Sequence, residues 1–111
     1  MVVTIVSVPN NECAESIAAH LVDSNLAACI NILPHVKSVY RWEGKIEREE
    51  ELLLVIKTRH SLLEKLIGEV QALHPYQVPE IIALPIVGGA DNYLSWALSC
   101  INQSELTKPS D

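Results

Sequence analysis

The stretch from residue 52 to residue 56, Leu-Leu-Leu-Val-Ile, is apolar throughout and lacks the alternation of a half-exposed strand. A strand of that kind wants cover on both faces. A two-layer domain with one sheet covers only one of them. The run closes the returning arm of a hairpin predicted over residues 38–58, with Glu43-Gly44-Lys45 at the turn and Gly44 supplying a positive φ. Side chains alternate along a strand, so Ser38, Tyr40 and Trp42 share one face of the outgoing arm. The second cover is therefore expected from another copy of the chain.

The hairpin sits in a chain of 111 residues, long enough for one domain with a core that needs no staple. Phe is absent and aromatics are few, so Leu, Ile, Val and Ala must fill that core. The formal net charge of −6 argues against a nucleic-acid partner, because phosphate binding needs clustered Lys and Arg. No apolar run reaches membrane-spanning length. Cys13, Cys29 and Cys100 are odd in number and far apart, which suits reduced thiols better than a disulfide framework. With no leader in residues 1–8, a short form acting in the cytoplasm is expected.

Periodicity gives the remaining elements. Residues 2–8 are β-branched and stop at Pro9, a first strand. Asn10 or Asn11 caps a helix whose stripe is Ala14, Ile17, Ala18, Leu21 and Val22, ending at Asn25. A second strand from Ala28 is interrupted by Pro34, a residue tolerated at an edge or bulge. After the hairpin, Ser61 and Glu64 form a capping box for a helix with stripe Leu63, Leu66, Ile67, Val70 and Leu73, closed by Pro75. Residues 80–87 form a further strand, and Asp91 caps a last helix. That helix has two apolar faces, Leu94/Ala97/Leu98/Ile101 and Tyr93/Trp96/Cys100, a second sign of a subunit contact. The order is the split βαβ pattern: an α+β, ferredoxin-like βαββαβ sandwich with an antiparallel sheet, a long central hairpin and an extra C-terminal helix. One domain is expected over residues 1–103, with a polar, disordered tail at 104–111.

The segment His74-Pro75-Tyr76-Gln77-Val78-Pro79-Glu80 carries the densest chemistry. Its prolines stiffen the backbone, and imidazole with carboxylate suits Cu or Zn, so His74 and Glu80 are the candidate metal ligands. His74 equally suits a helix end, where a partly charged ring meets the dipole. Trp42, Glu43, Lys57, Tyr76, Tyr93 and Trp96 are polar-tipped, charged or aromatic residues near element ends and fit either a cleft or an interface. The acidic run 47–51 reads as a solvated strand, and Gly88-Gly89 lacks the remainder of a phosphate loop. No catalytic elbow, zinc-protease pair, Walker loop or nucleophile–base pair is visible, so an enzyme is not expected.

Five blocks in order, Leu26-Ala27-Ala28-Cys29-Ile30-Asn31, Ser38-x-Tyr40-x-Trp42-Glu43-Gly44-Lys45-Ile46, Leu54-x-Ile56-Lys57-Thr58, His74-Pro75-Tyr76-x-x-Pro79-Glu80 and Tyr93-Leu94-x-Trp96, resemble the CutA divalent-cation tolerance family. The resemblance implies a tight homotrimer in which long hairpins exchange sheet pairing. It also implies a non-enzymatic role in the response to metal ions, with Cu(II) or another divalent cation bound. The family's bacterial copper site uses a first-strand cysteine and paired histidines; those positions are Val6 and Leu73 here, leaving His74. Two other readings stay open. One is a PII-like signalling trimer that binds a small molecule or anion in intersubunit clefts walled by Trp42, Glu43, Lys57, Tyr76, Tyr93 and Trp96. The other is an oligomeric scaffold or anchoring module.

Overall fold

The computed structural model describes residues 1–101. Eight elements follow in order: β1 (Val2–Val8), α1 (Asn11–Asp23), β2 (Cys29–Trp42), β3 (Lys45–Thr58), a 3-10 turn (His60–Leu62), α2 (Leu63–Leu73), β4 (Ile81–Pro85) and α3 (Asp91–Ser99). The expected tail, 104–111, lies outside the described residues. No helix among them is long and apolar enough to cross a membrane.

The strands form one antiparallel sheet in the order β2-β3-β1-β4, so the expected α+β architecture is present. Register decides what each face carries. Val2, Thr4, Val6 and Val8 of β1 stand opposite Thr58, Ile56, Leu54 and Leu52 of β3. This face meets the helices: Val6, Val8, Leu54 and Ile56 join Ala14, Ile17, Leu21, Leu66, Val70, Ala97 and Ile101 in one buried cluster. Each fully buried Leu or Ile contributes roughly 2–3 kcal/mol by leaving water. The other face carries Leu84, Val3 and Lys57 in one row, Ile82, Ile5 and Val55 in the next, and Ser7, Leu53 and Leu33 beyond. Among the helices α3 touches it at Cys29, through Tyr93. Leu33, Ile82 and Leu84 are exposed there.

Local signals explain most of the boundaries. The Asn10 side chain accepts from the Cys13 N–H at 2.8 Å, capping α1. At the other end Asn25 takes φ 61°, with Leu26 N–H donating to Leu21 O and Asn25 N–H to Val22 O. That is a Schellman motif, and its hydrophobic pair, Leu21 and Leu26, is buried. The hairpin turns in two residues, with φ 50° at Glu43 and 82° at Gly44, the sign pattern of a type I′ turn. Strand β2 does not stop at Pro34. The register moves from Leu33 opposite Leu53 to Val36 opposite Glu51, so Pro34 and His35 together face Leu52. This is a β-bulge on an edge strand, where a missing N–H is harmless.

Three expectations need correction. Ser61 does not stand at the N-cap of α2: it lies within the 3-10 turn that leads into the helix, and Leu62 holds that position. Asp91 is the first residue of α3 rather than its cap, which is Ala90. The helix stripes are narrower than predicted, because α2 buries only Leu66 and Val70 while Leu73 and, on α1, Val22 are exposed.

Two substitutions test this account by urea denaturation. Leu54→Ala, in the helix-covered cluster, is expected to cost about 3 kcal/mol through lost burial and cavity formation. Gly44→Ala, whose new Cβ would meet nothing within 4 Å, is expected to cost about 1 kcal/mol from the positive φ alone.

Candidate functional site

The bulge at residues 34–35 has a consequence for chemistry. Before it, Cys29, Asn31 and Leu33 point to the bare face, opposite Lys57, Val55 and Leu53. After it, Val36, Ser38, Tyr40 and Trp42 point there, opposite Glu51, Glu49, Glu47 and Lys45. By pairing two residues against one, the bulge changes the outward positions of β2 from odd to even numbers, and both aromatic rings stand on the side that the helices leave open.

The segment between α2 and β4 comes over the end of β1 to meet them. His74 anchors it. The imidazole is 7% exposed; its Nε2 lies 2.7 Å from the Ser7 carbonyl oxygen, and Tyr76 N–H donates to its Nδ1 at 3.1 Å. A carbonyl can only accept and an N–H can only donate, so the ring carries its proton on Nε2. Both nitrogens are thereby engaged with backbone. The tilted Tyr76 ring stacks 4.8 Å away. Glu80, by contrast, is exposed. His74 and Glu80 are thus not presented together as open ligands, and among the described residues no group of three or more His, Cys, Asp or Glu could hold a metal.

What residues 75–80 do enclose is a cavity of about 760 Å³, lined by Ser7, Ser38, Val39, Tyr40, Trp42 and Glu51 as well as by themselves. The Tyr76 hydroxyl donates to Glu51 Oε2 at 2.7 Å. Glu51 is only 5% exposed, although it belongs to the acidic run that reads as solvated. Burial, the Glu51 hydrogen bond and the Glu51 charge hold the Tyr76 phenol above its ordinary value of 10. Desolvation and the charges of Glu49, Glu51 and Glu47 raise Tyr40 as well.

The other expected cleft residues lie elsewhere on the chain. Lys57 donates to Asn31 Oδ1 and approaches Cys29 Sγ at 3.8 Å. Tyr93 and Trp96 pair on α3 with ring centroids 5.6 Å apart. Burial raises the Tyr93 phenol, helped by the charge and hydrogen bonding of Cys29. Glu43 occupies the hairpin turn. The six expected residues therefore split: Trp42 and Tyr76 on the cavity, Lys57, Tyr93 and Trp96 around Cys29 and Asn31, and Glu43 at the tip. Glu51 was missed. Its only local signal was its place at the start of the apolar run.

The family model described as "CutA1 divalent ion tolerance protein" matches residues 2–100. A chloroplastic CutA protein of Arabidopsis thaliana is 55% identical over 95 residues, covering 86% of this chain and 52% of the relative. A divalent-cation tolerance protein CutA of Thermus thermophilus is 50% identical over 94 residues, covering 85% and 91%. The chain thus spans about half the length of the plant relatives it matches. Among solved structures, CutA1 from Oryza sativa superposes with a TM-score of 0.89 at 48% identity, covering 92% of this chain and 94% of that one. These relatives correct the expected cytoplasmic location. Two plant proteins are named chloroplastic, and a CutA from Archaeoglobus fulgidus, 39% identical with a TM-score of 0.88 over 92% of this chain and all of its own, is called periplasmic. Cysteine number and an unremarkable N-terminus do not select a compartment in this group.

Two outcomes are expected. His74→Ala should lower stability by about 2–3 kcal/mol, since it removes a buried ring and leaves the Ser7 carbonyl without its partner, while Cu(II) heats in isothermal titration stay as in wild type. Tyr76 titrates later folded than unfolded, so its contribution is complete below pH about 10 and is lost as pH rises through the folded value. Stability should accordingly fall above pH about 10, and Tyr76→Phe should flatten that fall in pH-dependent urea midpoints.

Proposed function

The chain belongs to the CutA1 divalent ion tolerance family, and from that membership we propose that it acts in divalent-cation tolerance as a non-enzymatic homotrimer. The observation that carries the assembly is the bare sheet face. Exposed Leu33, Ile82 and Leu84, with half-buried Val3, Ile5, Leu53 and Val55 between them, make one apolar surface that a second copy would cover. The hairpin supports the same reading, since Val39 and Ile46 are exposed on it and the molecule extends 47 Å along its long axis against 26 and 23 Å across. Direct contact with Cu(II) or another divalent ion is weak in this reading. The donors available to it are the Glu80 and Glu51 carboxylates, which favour hard cations, because His74 would first have to give up Ser7 or Tyr76.

The cavity favours a second reading, in which the family's role is signalling and a small molecule is the signal. Trp42, Tyr76 and Glu80 of one subunit would then face Lys57, Tyr93 and Trp96 of its neighbour, an arrangement analogous to PII-like trimers.

Assembly is tested by light scattering after gel filtration. The expected mass is about three times the 12.3 kDa of one chain, and Ile82→Glu is expected to give folded monomer, because Ile82 is already exposed in the single chain and a charge is costly to bury at an interface. A monomeric wild type would end the trimer reading. Growth of a strain lacking its own CutA-type protein, in graded divalent salts, tests the tolerance role; equal growth with and without this chain would count against it.

A further inference from the structure

We propose that the cavity beneath residues 75–80 is a binding site for a small organic cation, an ammonium or guanidinium group carried on an apolar body. The inference rests on the small-molecule reading above and names the class of ligand; because the cavity opens on the sheet face that a second copy would cover, it requires an assembly that leaves this end of the face accessible.

Charge is the first argument. Among the described residues the cavity is lined by two carboxylates, Glu51 and Glu80, and by no Lys, Arg or His. Glu51 is 95% buried by its 5% exposure, and a carboxylate taken from water costs several kcal/mol unless charge and hydrogen bonds compensate. A carboxylate offers about four acceptor sites; the Tyr76 hydroxyl meets one of them at Oε2. Lys57 is no counter-ion within the chain, since its ammonium is on Asn31 and Cys29.

The aromatic walls are the second argument. Tyr40, Trp42 and Tyr76 all line the cavity, and ring faces attract cations, Trp most strongly. The raised phenols of Tyr40 and Tyr76 keep these rings neutral across physiological pH, so they add no further negative charge. A bare metal ion is the poorer fit, because no third His, Cys, Asp or Glu joins the two carboxylates among the described residues. The volume, about 760 Å³, lies in the range of small-molecule sites. A buried carboxylate, three aromatic side chains in the lining and a stiff proline-flanked rim together select positive charge and an apolar body.

Tryptamine and indole-3-acetate carry the same ring with opposite charge, and isothermal titration of the full chain with each separates the possibilities. Tryptamine should bind at least about tenfold more tightly, the scale of one charge-assisted contact. Glu51→Gln, which keeps an acceptor for Tyr76, should erase that preference, and Trp42→Leu, on the exposed hairpin, should weaken tryptamine alone. Equal binding of both probes, or an unchanged preference in Glu51→Gln, would overturn the cation assignment while the small-molecule reading survives. Binding of neither would overturn both, as would filling of the cavity by a neighbouring subunit. Gel filtration of each variant shows whether the assembly has changed independently.

Discussion

The sheet has one helix layer and two apolar faces, and the imbalance between them governs this protein. Helices α1 and α2 and the end of α3 cover the face that carries Val6, Val8, Leu54 and Ile56. The opposite face is built from the same strands at the alternate positions, with Val3, Ile5, Leu53 and Val55 half-buried and Ile82 and Leu84 open. Antiparallel sheets tolerate water on one side when that side is polar. Here it is polar only in part, at Lys57, Asn31 and Glu49, and the apolar remainder is what the proposed assembly would cover. The exposed edge strands β2 and β4 add unpaired backbone groups to the same deficit.

The candidate site inherits its position from that open side. Its carboxylate and its aromatic rings come from the hairpin, and its rim comes from the connection that crosses β1. His74 holds that crossing by two backbone hydrogen bonds, one of them to Ser7, 67 residues away in sequence. The imidazole thus works as a structural clip whose two nitrogens match a carbonyl on one side and an amide on the other. Its chemical type suggested a ligand; its surroundings give it another occupation.

Much of the fold was readable from local signals because those signals act locally. Asn10, Asn25 and the Glu43-Gly44 turn each do in the structure what their side chains or backbone freedom favour. Ser61 and Asp91 each lie one position from the cap expected of them, because the chain entering each helix set where the first turn began. Glu51 was hidden among the carboxylates of residues 47–51. Only the fold of a segment some 25 residues downstream distinguishes it, through the Tyr76 hydroxyl. The division of Trp42, Lys57, Tyr76, Tyr93 and Trp96 into two groups was equally unreadable, because sequence order carries no information about which end of a sheet a residue reaches.

The bulge at Pro34-His35 absorbs one residue of β2 while the partners on β3 run on in unbroken alternation. Removing one of its two residues would leave the turn and the composition of the hairpin untouched and could keep every strand paired. With that pairing kept, Val36 would still stand opposite Glu51 and Tyr40 opposite Glu47, and directly opposed residues share a face, so Tyr40 and Trp42 would stay on the side of Glu51. Straightening the bulge at constant length would instead slip the distal strand by one residue and turn both rings to the other face, so the two-against-one pairing is what keeps the walls of this site where they are.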